Sequence, residues 1–428
     1  MVSAGGRAAP AAECRWAVAG CGWVARDHFL PGLLEAAGNG NGTGAAGADA
    51  HAGAGTGARA GALGTGADAA WNAARAAGTA AGAVVPRLVA ATDVDPAAAA
   101  RLAALAPGAR TAAGLTDLLA LHRPDAVYVA TPNHAHRPAV ATAAAAGAAV
   151  LCEKPLAADL ADAERLVAAC RRAGTLAATA YDQRFHPAHR AARAVVASGA
   201  LGTVTAVRIT YCCWLPPAWS PDGRPYDNWR ADPARAGGGA ALDLAPHGLD
   251  LAGVLLGGDD VAALTALVQH RVHPYPVDDG AVLAGRTGGG VLVCLHVAYN
   301  TPDTLPRRRL EVVGTHGQLT ADDTLGQDAG GTLWLTAART AERVPVPFDP
   351  HASPFAVQVR EFSAAVAAVR AGTPVERAWP WPLRRDLALH RLLLEALSRA
   401  RATAPRTVAP APAPAPVAAP STVEEGRR

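Results

Sequence analysis

Three stretches of this sequence carry residue types that could work together on one carbon–oxygen centre. The first is Leu151-Cys152-Glu153-Lys154-Pro155-Leu156. The apolar run from Ala148 to Leu151 has the length of a buried strand. Proline ends a strand because it has no N–H to donate. Lys154 is therefore expected at a strand end, where open α/β sheets hold their ligands. Taken alone, the stretch reads better as a solvated lysine at a loop edge, and the other motifs reverse that preference. The second is Asp243-x-x-x-His247, an acid and a histidine four apart and so on one face of a helix. Histidine is suited to removing a hydroxyl proton near neutral pH. A neighbouring acid fixes its tautomer and stabilises its charged form. A lysine on the same oxygen orients a substrate and polarises a carbonyl in the reverse direction. The same pair also reads as a helix cap with a buried polar pair. Two ligands without a third make a thin metal site, so no metal is expected. The third stretch, Thr131-Pro132-Asn133-His134-Ala135-His136, is a polar cluster at the end of another apolar run, Ala126 to Ala130.

These residues need elements to hold them. Trp16 to Ala19 reads as a short strand running into Gly20-Cys21-Gly22-Trp23-Val24-Ala25, and a helical pattern follows through Phe29, Leu33 and Leu34. This is G-x-G-x-x-A between a strand and a helix, the context a dinucleotide fingerprint requires. The first glycine permits a tight turn, and the second lets backbone approach a pyrophosphate. Alanine in the third place still allows close packing of helix on strand. Free N–H groups at the helix start then face the phosphates.

Residues 39–83 are nearly all glycine and alanine and read as a mostly disordered insertion. The sheet resumes at Arg87 to Thr92 and ends at Asp93. A carboxylate there is where a ribose 2′-hydroxyl would bind, about 20 residues past the glycines. Asp93 lies 71 residues past Gly22, or 26 once the 45 residues of 39–83 are set aside. It favours NAD over NADP, since it would repel a 2′-phosphate. It also reads as the cap of a helix starting near Pro96, and both readings can hold together.

Helices at 115–121, 137–146 and 161–173 alternate with strands at 126–130, 148–151 and 176–180. That alternation predicts a doubly wound parallel sheet. After Tyr181-Asp182-Gln183-Arg184-Phe185-His186-Pro187 and a helix to 198, the pattern changes. Strand-like runs at 204–211, 261–272, 281–285, 291–299, 310–313, 318–321 and 331–335 predict a mostly antiparallel sheet. A helix carries Asp243 and His247, and Pro246 suggests that it starts near 244. Helices at 355–369 and 382–398 close the fold. The expected division is a Rossmann dinucleotide-binding domain at 14–182, an α/β substrate domain at 183–402 and an extended Pro/Ala-rich tail at 403–428.

Composition narrows the function. The formal net charge is +3, from 39 basic and 36 acidic residues, too balanced for nucleic-acid binding. Seven cysteines without a C-x-x-C pair suggest neither zinc nor a disulfide framework. A reducing cytoplasm fits best. Met1 to Ala12 has no apolar core of a secretory signal, and no apolar run reaches the ~18 residues of a membrane helix.

Together these motifs resemble the glucose–fructose oxidoreductase / inositol dehydrogenase (Gfo/Idh/MocA-type) family. The resemblance runs through Gly20 to Ala25, Thr131-Pro132-Asn133 with His136, and Glu153-Lys154-Pro155. It continues through Arg184-Phe185-His186-Pro187, Trp229-Arg230, Asp243-x-x-x-His247 and Glu311 to Gly317. It implies a Rossmann domain followed by an α/β domain with a large open sheet, often the interface of a dimer or tetramer. It implies a sugar or cyclitol substrate and NAD, or NADP, as cofactor. By resemblance Lys154 orients the reacting oxygen, His247 is the general acid/base and Asp243 supports it. Gly20, Gly22, Trp23, Val24, Ala25 and Asp93 would hold the dinucleotide. Thr131, Pro132, Asn133, His136 and Glu153 would line its nicotinamide side. Arg184, Trp229 and Arg230 would border the substrate pocket. Three alternatives stay open: a ketoreductase of a nucleotide-linked keto sugar, a glycosidase using bound NAD, and a non-catalytic sensor. The first would call for several arginines in the pocket, with Arg224, Arg230 and Arg235 as candidates.

Overall fold

The computed structural model describes residues 12–38, 84–223 and 226–403. The expected insertion at 39–83, and all but the first residue of the expected tail, lie outside them.

The first sheet has six strands: β1 (Ala12–Ala19), β2 (Val84–Thr92), β3 (Arg110–Thr111), β4 (Ala126–Val129), β5 (Ala149–Cys152) and β6 (Ala177–Thr179). Their order is β3-β2-β1-β4-β5-β6, and all pairs are parallel. Every residue of β4 and β5 is buried, as continuous apolar strands covered on both faces must be. The order reverses between β1 and β4. A doubly wound sheet opens its crevice there, at the carboxyl ends of the strands. The glycine loop leaves β1 and the Thr131 loop leaves β4, so both meet at that crevice. The two-residue strand β3 has no apolar pattern, which is why sequence reading does not show it.

The second sheet has eight strands: β7 (Val204–Cys212), β8 (Val261–Gln269), β9 (Gly280–Thr287), β10 (Leu292–Ala298), β11 (Arg308–Gly314), β12 (Gly317–Asp322), β13 (Thr332–Ala337) and β14 (Arg343–Pro345). The order is β14-β13-β12-β11-β7-β10-β9-β8, antiparallel except for β7 with β10. β10 alternates exposed and buried residues, the mark of a sheet covered on one face. Helices Ala240–Leu255 and Leu383–Thr403 cover that face, and Leu295, Val297, Leu393 and Leu397 share its core. The other face leaves Leu267, Val282 and Leu292 exposed. β14, short and exposed, is again an element that its sequence does not announce.

Two expectations change. The boundary at 182 separates the sheets but not the packing. Helix Pro354–Arg370 lies against the first sheet, where Phe355 and Phe362 join Trp16 and Phe29 in one core cluster. The Trp16 indole Nε1 donates to Ser363 Oγ at 2.9 Å. The helix expected to start near 244 starts at Ala240. Its cap comes from a distant loop: Asp278 accepts from Gly239 N at 3.0 Å and Ala241 N at 2.7 Å. Pro246 thus stands inside the helix, with no N–H for the Leu242 carbonyl.

Arg184, expected at the substrate pocket, is instead sealed inside the fold with its side chain 1% exposed. It makes a two-pronged bond to Asp250 at 2.7 and 2.8 Å and reaches Asp386 at 2.8 Å. Arg385 joins the same network through Asp250 and Asp260. A cation that deep is stable only with such matched partners. No helix among the described residues is long and apolar enough to cross a membrane.

Candidate active site

The glycine loop is shaped by backbone contact. Gly20 has φ +91, and a Cβ there would lie 2.6 Å from both Ala130 C and Thr131 N. Only glycine lets the two loops touch at that point. Gly22 differs, since a Cβ there would meet nothing within 4 Å. That open space is what a pyrophosphate approaching the backbone requires. Asp93 closes the loop from β2, accepting from Cys21 N at 2.6 Å and from Asp95 N at 2.8 Å. The fully buried Ala25 opens a π turn, Ala25–Phe29, that leads into helix Leu30–Gly38. Such turns recur at functional sites.

Trp23, Val24, Thr131, Asn133 and Glu153 line a common cleft with Lys154, Asp243 and His247. The Trp23 indole Nε1 and the Thr131 hydroxyl are buried there without a hydrogen-bond partner among the described residues. Open space over Gly22 and two orphaned polar atoms beside it fit a nicotinamide dinucleotide. Asn133 is held by donating to Ala236 O at 2.8 Å. Glu153 accepts from Tyr128 Oη at 2.5 Å, and burial raises its carboxyl above the usual range. His136 and Pro132 lie outside the cleft lining. The buried His136 ring bridges the two loops, 2.9 Å from Thr131 O and 3.0 Å from Pro155 O. Burial pushes it down to about 4, so it is neutral and has one N–H to give.

Lys154 follows β5 directly and reaches across to the helix. Its Nζ donates to Asp243 Oδ1 at 2.6 Å and to Asp243 O at 3.0 Å. The second carboxylate oxygen of Asp243 accepts from Tyr299 Oη at 2.8 Å and lies 3.8 Å from Arg230 Nε. Burial works to raise the Asp243 carboxyl, but the Lys154 and Arg230 cations outweigh it and hold it well below the usual range. Asp243 is therefore an anion committed to Lys154, Tyr299 and Arg230 rather than to His247.

The acid beside His247 is Asp182, with Nδ1 3.4 Å from Oδ1. Neither ring nitrogen of this buried histidine makes a hydrogen bond among the described residues. Burial, with the Lys154 cation nearby, pushes His247 down to about 3, so the ring is neutral at neutral pH. Burial, with the Glu153 carboxylate nearby, pushes Asp182 up to about 8. A buried neutral imidazole with two free nitrogens and a protonated acid beside it can exchange a proton with a bound hydroxyl.

Comparisons with known proteins place the fold in a family. The oxidoreductase-family model of an NAD-binding Rossmann fold matches residues 56–181, and the GFO/IDH/MocA C-terminal domain model matches residues 189–320. The 1,5-anhydro-D-fructose reductase of Ensifer adhaerens is 32% identical over 265 residues, which span 62% of this chain and 76% of that protein. The chain belongs to the Gfo/Idh/MocA oxidoreductase family. The dTDP-3,4-didehydro-2,6-dideoxy-alpha-D-glucose 3-reductase of Streptomyces violaceoruber is 34% identical over 248 residues, 57% of this chain and 69% of that protein. The aldose–aldose oxidoreductase of Caulobacter crescentus, solved with glycerol, has the same fold with a TM-score of 0.68. It is 21% identical, and the match covers 91% of this chain and 98% of that one.

As a Gfo/Idh/MocA protein the chain is an NAD(P)-dependent oxidoreductase. The cleft encloses about 1160 Å³ of space, part of it open to solvent. Trp229 and Arg230 do border it, with the guanidinium 4.5 Å from the Trp229 ring. Arg224 lies outside the described residues, and Arg235 is paired with Asp227 at 2.6 Å. Sequence reasoning missed Asp182, Tyr211, Tyr299, Arg307 and Arg308 as cleft residues. The signal for two of them was present: Asp182 follows the strand at 176–180 and Tyr299 ends the one at 291–299, the same position that singled out Lys154.

Proposed function

We propose that this protein interconverts a hydroxyl and a keto carbon on a sugar or cyclitol, with NAD or NADP as redox partner. The observation that carries this reading is one cleft holding Lys154, fixed on Asp243, and His247, buried with both ring nitrogens free. With the glycine loop and the Thr131, Asn133 and Glu153 side of the cleft holding it, a nicotinamide dinucleotide would supply or accept the hydride. Lys154 holds the reacting oxygen and stabilises its negative charge as a proton leaves. Asp243 fixes the ammonium, and Tyr299 and Arg230 fix Asp243. Neutral His247 takes the hydroxyl proton on one ring nitrogen. When a carbonyl is reduced, the imidazole gives its N–H proton to the oxygen, and the protonated Asp182 beside the other nitrogen replaces it. A non-catalytic sensor would have no use for this set. All seven cysteines are free, which supports a reducing compartment. The uncovered face of the second sheet, with Leu267, Val282 and Leu292, supports assembly of like copies through it.

The test is absorbance at the reduced-nicotinamide band with NAD or NADP and a panel of hexoses, inositols and their keto forms. Lys154→Ala and His247→Ala should each lower kcat by roughly 10²–10⁴, while unfolding midpoint and NAD binding stay at wild-type values. Near-normal turnover in either variant removes that residue from the mechanism.

A further inference from the structure

We infer that the cleft contains an oxyanion subsite built on Arg308, with Arg307 beside it, so that the substrate is a sugar bearing a phosphate or carboxylate group. The inference rests on the function proposed above and narrows its substrate class.

Of the four cleft cations, Arg308 is the one without an ion-pair partner among the described residues. Its sequence neighbours are paired, Arg307 with Asp303 and Arg309 with Glu311 and Asp322. Lys154 and Arg230 share Asp243. Arg308 has no ion-pair partner among the described residues, and its Nε is buried without a hydrogen-bond acceptor. A buried N–H in that state lacks the acceptor that water would have given it, and an oxyanion in the cleft supplies one. The two adjacent arginines also repel: burial and the Arg308 charge hold Arg307 below its ordinary value. An oxyanion between them relieves that repulsion.

The position is built rather than accidental. Arg308 stands in β11 directly opposite Tyr211 of β7. Residues so paired project on one face, and both line the cleft. The Tyr211 ring is 5.6 Å from the His247 ring, so the cation is separated from the imidazole by one side chain. That spacing puts the anionic group on the same small substrate as the reacting carbon. On its other side the guanidinium fills the space over Gly326, where a Cβ would lie 2.5 Å from Nη1. That loop is itself fixed, because Gln183 Nε2 donates to Gly326 O at 2.6 Å. An uncharged sugar would leave this arrangement unmatched.

The experiment uses the full chain loaded with NAD or NADP. Kinetics are compared for a hexose, its 6-phosphate, its uronate and its nucleoside-diphosphate ester, in wild type, Arg308→Gln and Arg308→Lys. Calorimetric binding of the phosphate and of the uronate gives a readout independent of turnover. One charged sugar should have a lower KM than the free hexose. Arg308→Gln should weaken its KM and its binding roughly 10- to 100-fold with kcat little changed, and should not affect the free hexose. Arg308→Lys keeps the charge but not the fork and should fall between. The charged sugar bound best tells phosphate from carboxylate. Equal preference for neutral and charged sugars, or unchanged affinity in Arg308→Gln, overturns the subsite and leaves the proposed function standing. Tight binding of a charged sugar with no turnover of any sugar overturns the proposed function instead. If Arg308→Gln does not fold, wild-type KM for the charged sugar should still rise with salt, and no rise overturns the subsite.

Discussion

Replacing Asp182 with asparagine should make the protein more stable, increasingly so as pH rises. Asp182 is buried, and burial, helped by the Glu153 carboxylate, pushes its carboxyl up to about 8. In the unfolded chain the same group titrates near ~3.9. Between those values the folded protein holds a proton that the unfolded chain has lost. The stabilisation from the protonated form is complete below about pH 4. It falls by about 1.4 kcal/mol per pH unit above that, and levels off past pH 8. From pH 5 to pH 8 the loss is roughly 4 kcal/mol. Asparagine has nearly the same shape, keeps an oxygen for the Gln183 Nε2 bond of 2.8 Å, and cannot ionise. The assay is urea unfolding of both proteins at pH 5, 6.5, 8 and 9. Subtracting wild type from variant cancels the other titrating groups. The difference should grow with pH to a few kcal/mol and then flatten, and the pH dependence of turnover near pH 8 should disappear with it. A difference constant to within about 0.5 kcal/mol from pH 5 to pH 9 would refute the buried protonated carboxyl, and with it the proton store beside His247.

The two glycines of the loop should separate folding from cofactor binding. Gly20→Ala forces a methyl against Ala130 and Thr131 at φ +91 and should cost ~1–3 kcal/mol of stability in unfolding experiments. At Gly22 a Cβ meets no atom within 4 Å, so Gly22→Val should fold normally, yet weaken NAD binding by at least roughly tenfold in fluorescence titration. Wild-type NAD affinity in Gly22→Val would move the phosphates elsewhere. On the uncovered sheet face, Leu267 is 72% exposed, and Leu267→Lys should shift sedimentation toward a smaller species. A wild-type protein that sediments as a monomer would remove assembly through that face.

The long-period features were legible in the sequence. Apolar runs punctuated by helices gave the parallel sheet, and alternating short runs gave the antiparallel one. The glycine loop, Lys154, Asp243 and His247 were found because each sits at a strand end or on a helix face, where local rules apply. What stayed hidden was pairing across the chain. Arg184 reads as a pocket cation because its partners Asp250 and Asp386 are 66 and 202 residues away. The start of the Ala240–Leu255 helix was misplaced because its capping acid, Asp278, lies in another loop. Asp243 was assigned to His247 by helical spacing, whereas charge and proximity give it to Lys154 and give Asp182 to the histidine.

The helix Ala240–Leu255 has a practical consequence. Asp243 and His247 stand on its first two turns, while Asp250, one turn further on, is gripped by Arg184 and Arg385. A rod pinned so close to its working end can neither roll nor slide without breaking buried charges. The cleft's aromatic wall is mounted differently. Trp214, Trp219 and Trp229 stand on the irregular connection between β7 and this helix. The helix-borne Asp243 and His247 and the aromatic wall thus belong to separate parts of the molecule. Redirecting the enzyme to a new sugar would mean rewriting the connection and leaving the helix alone.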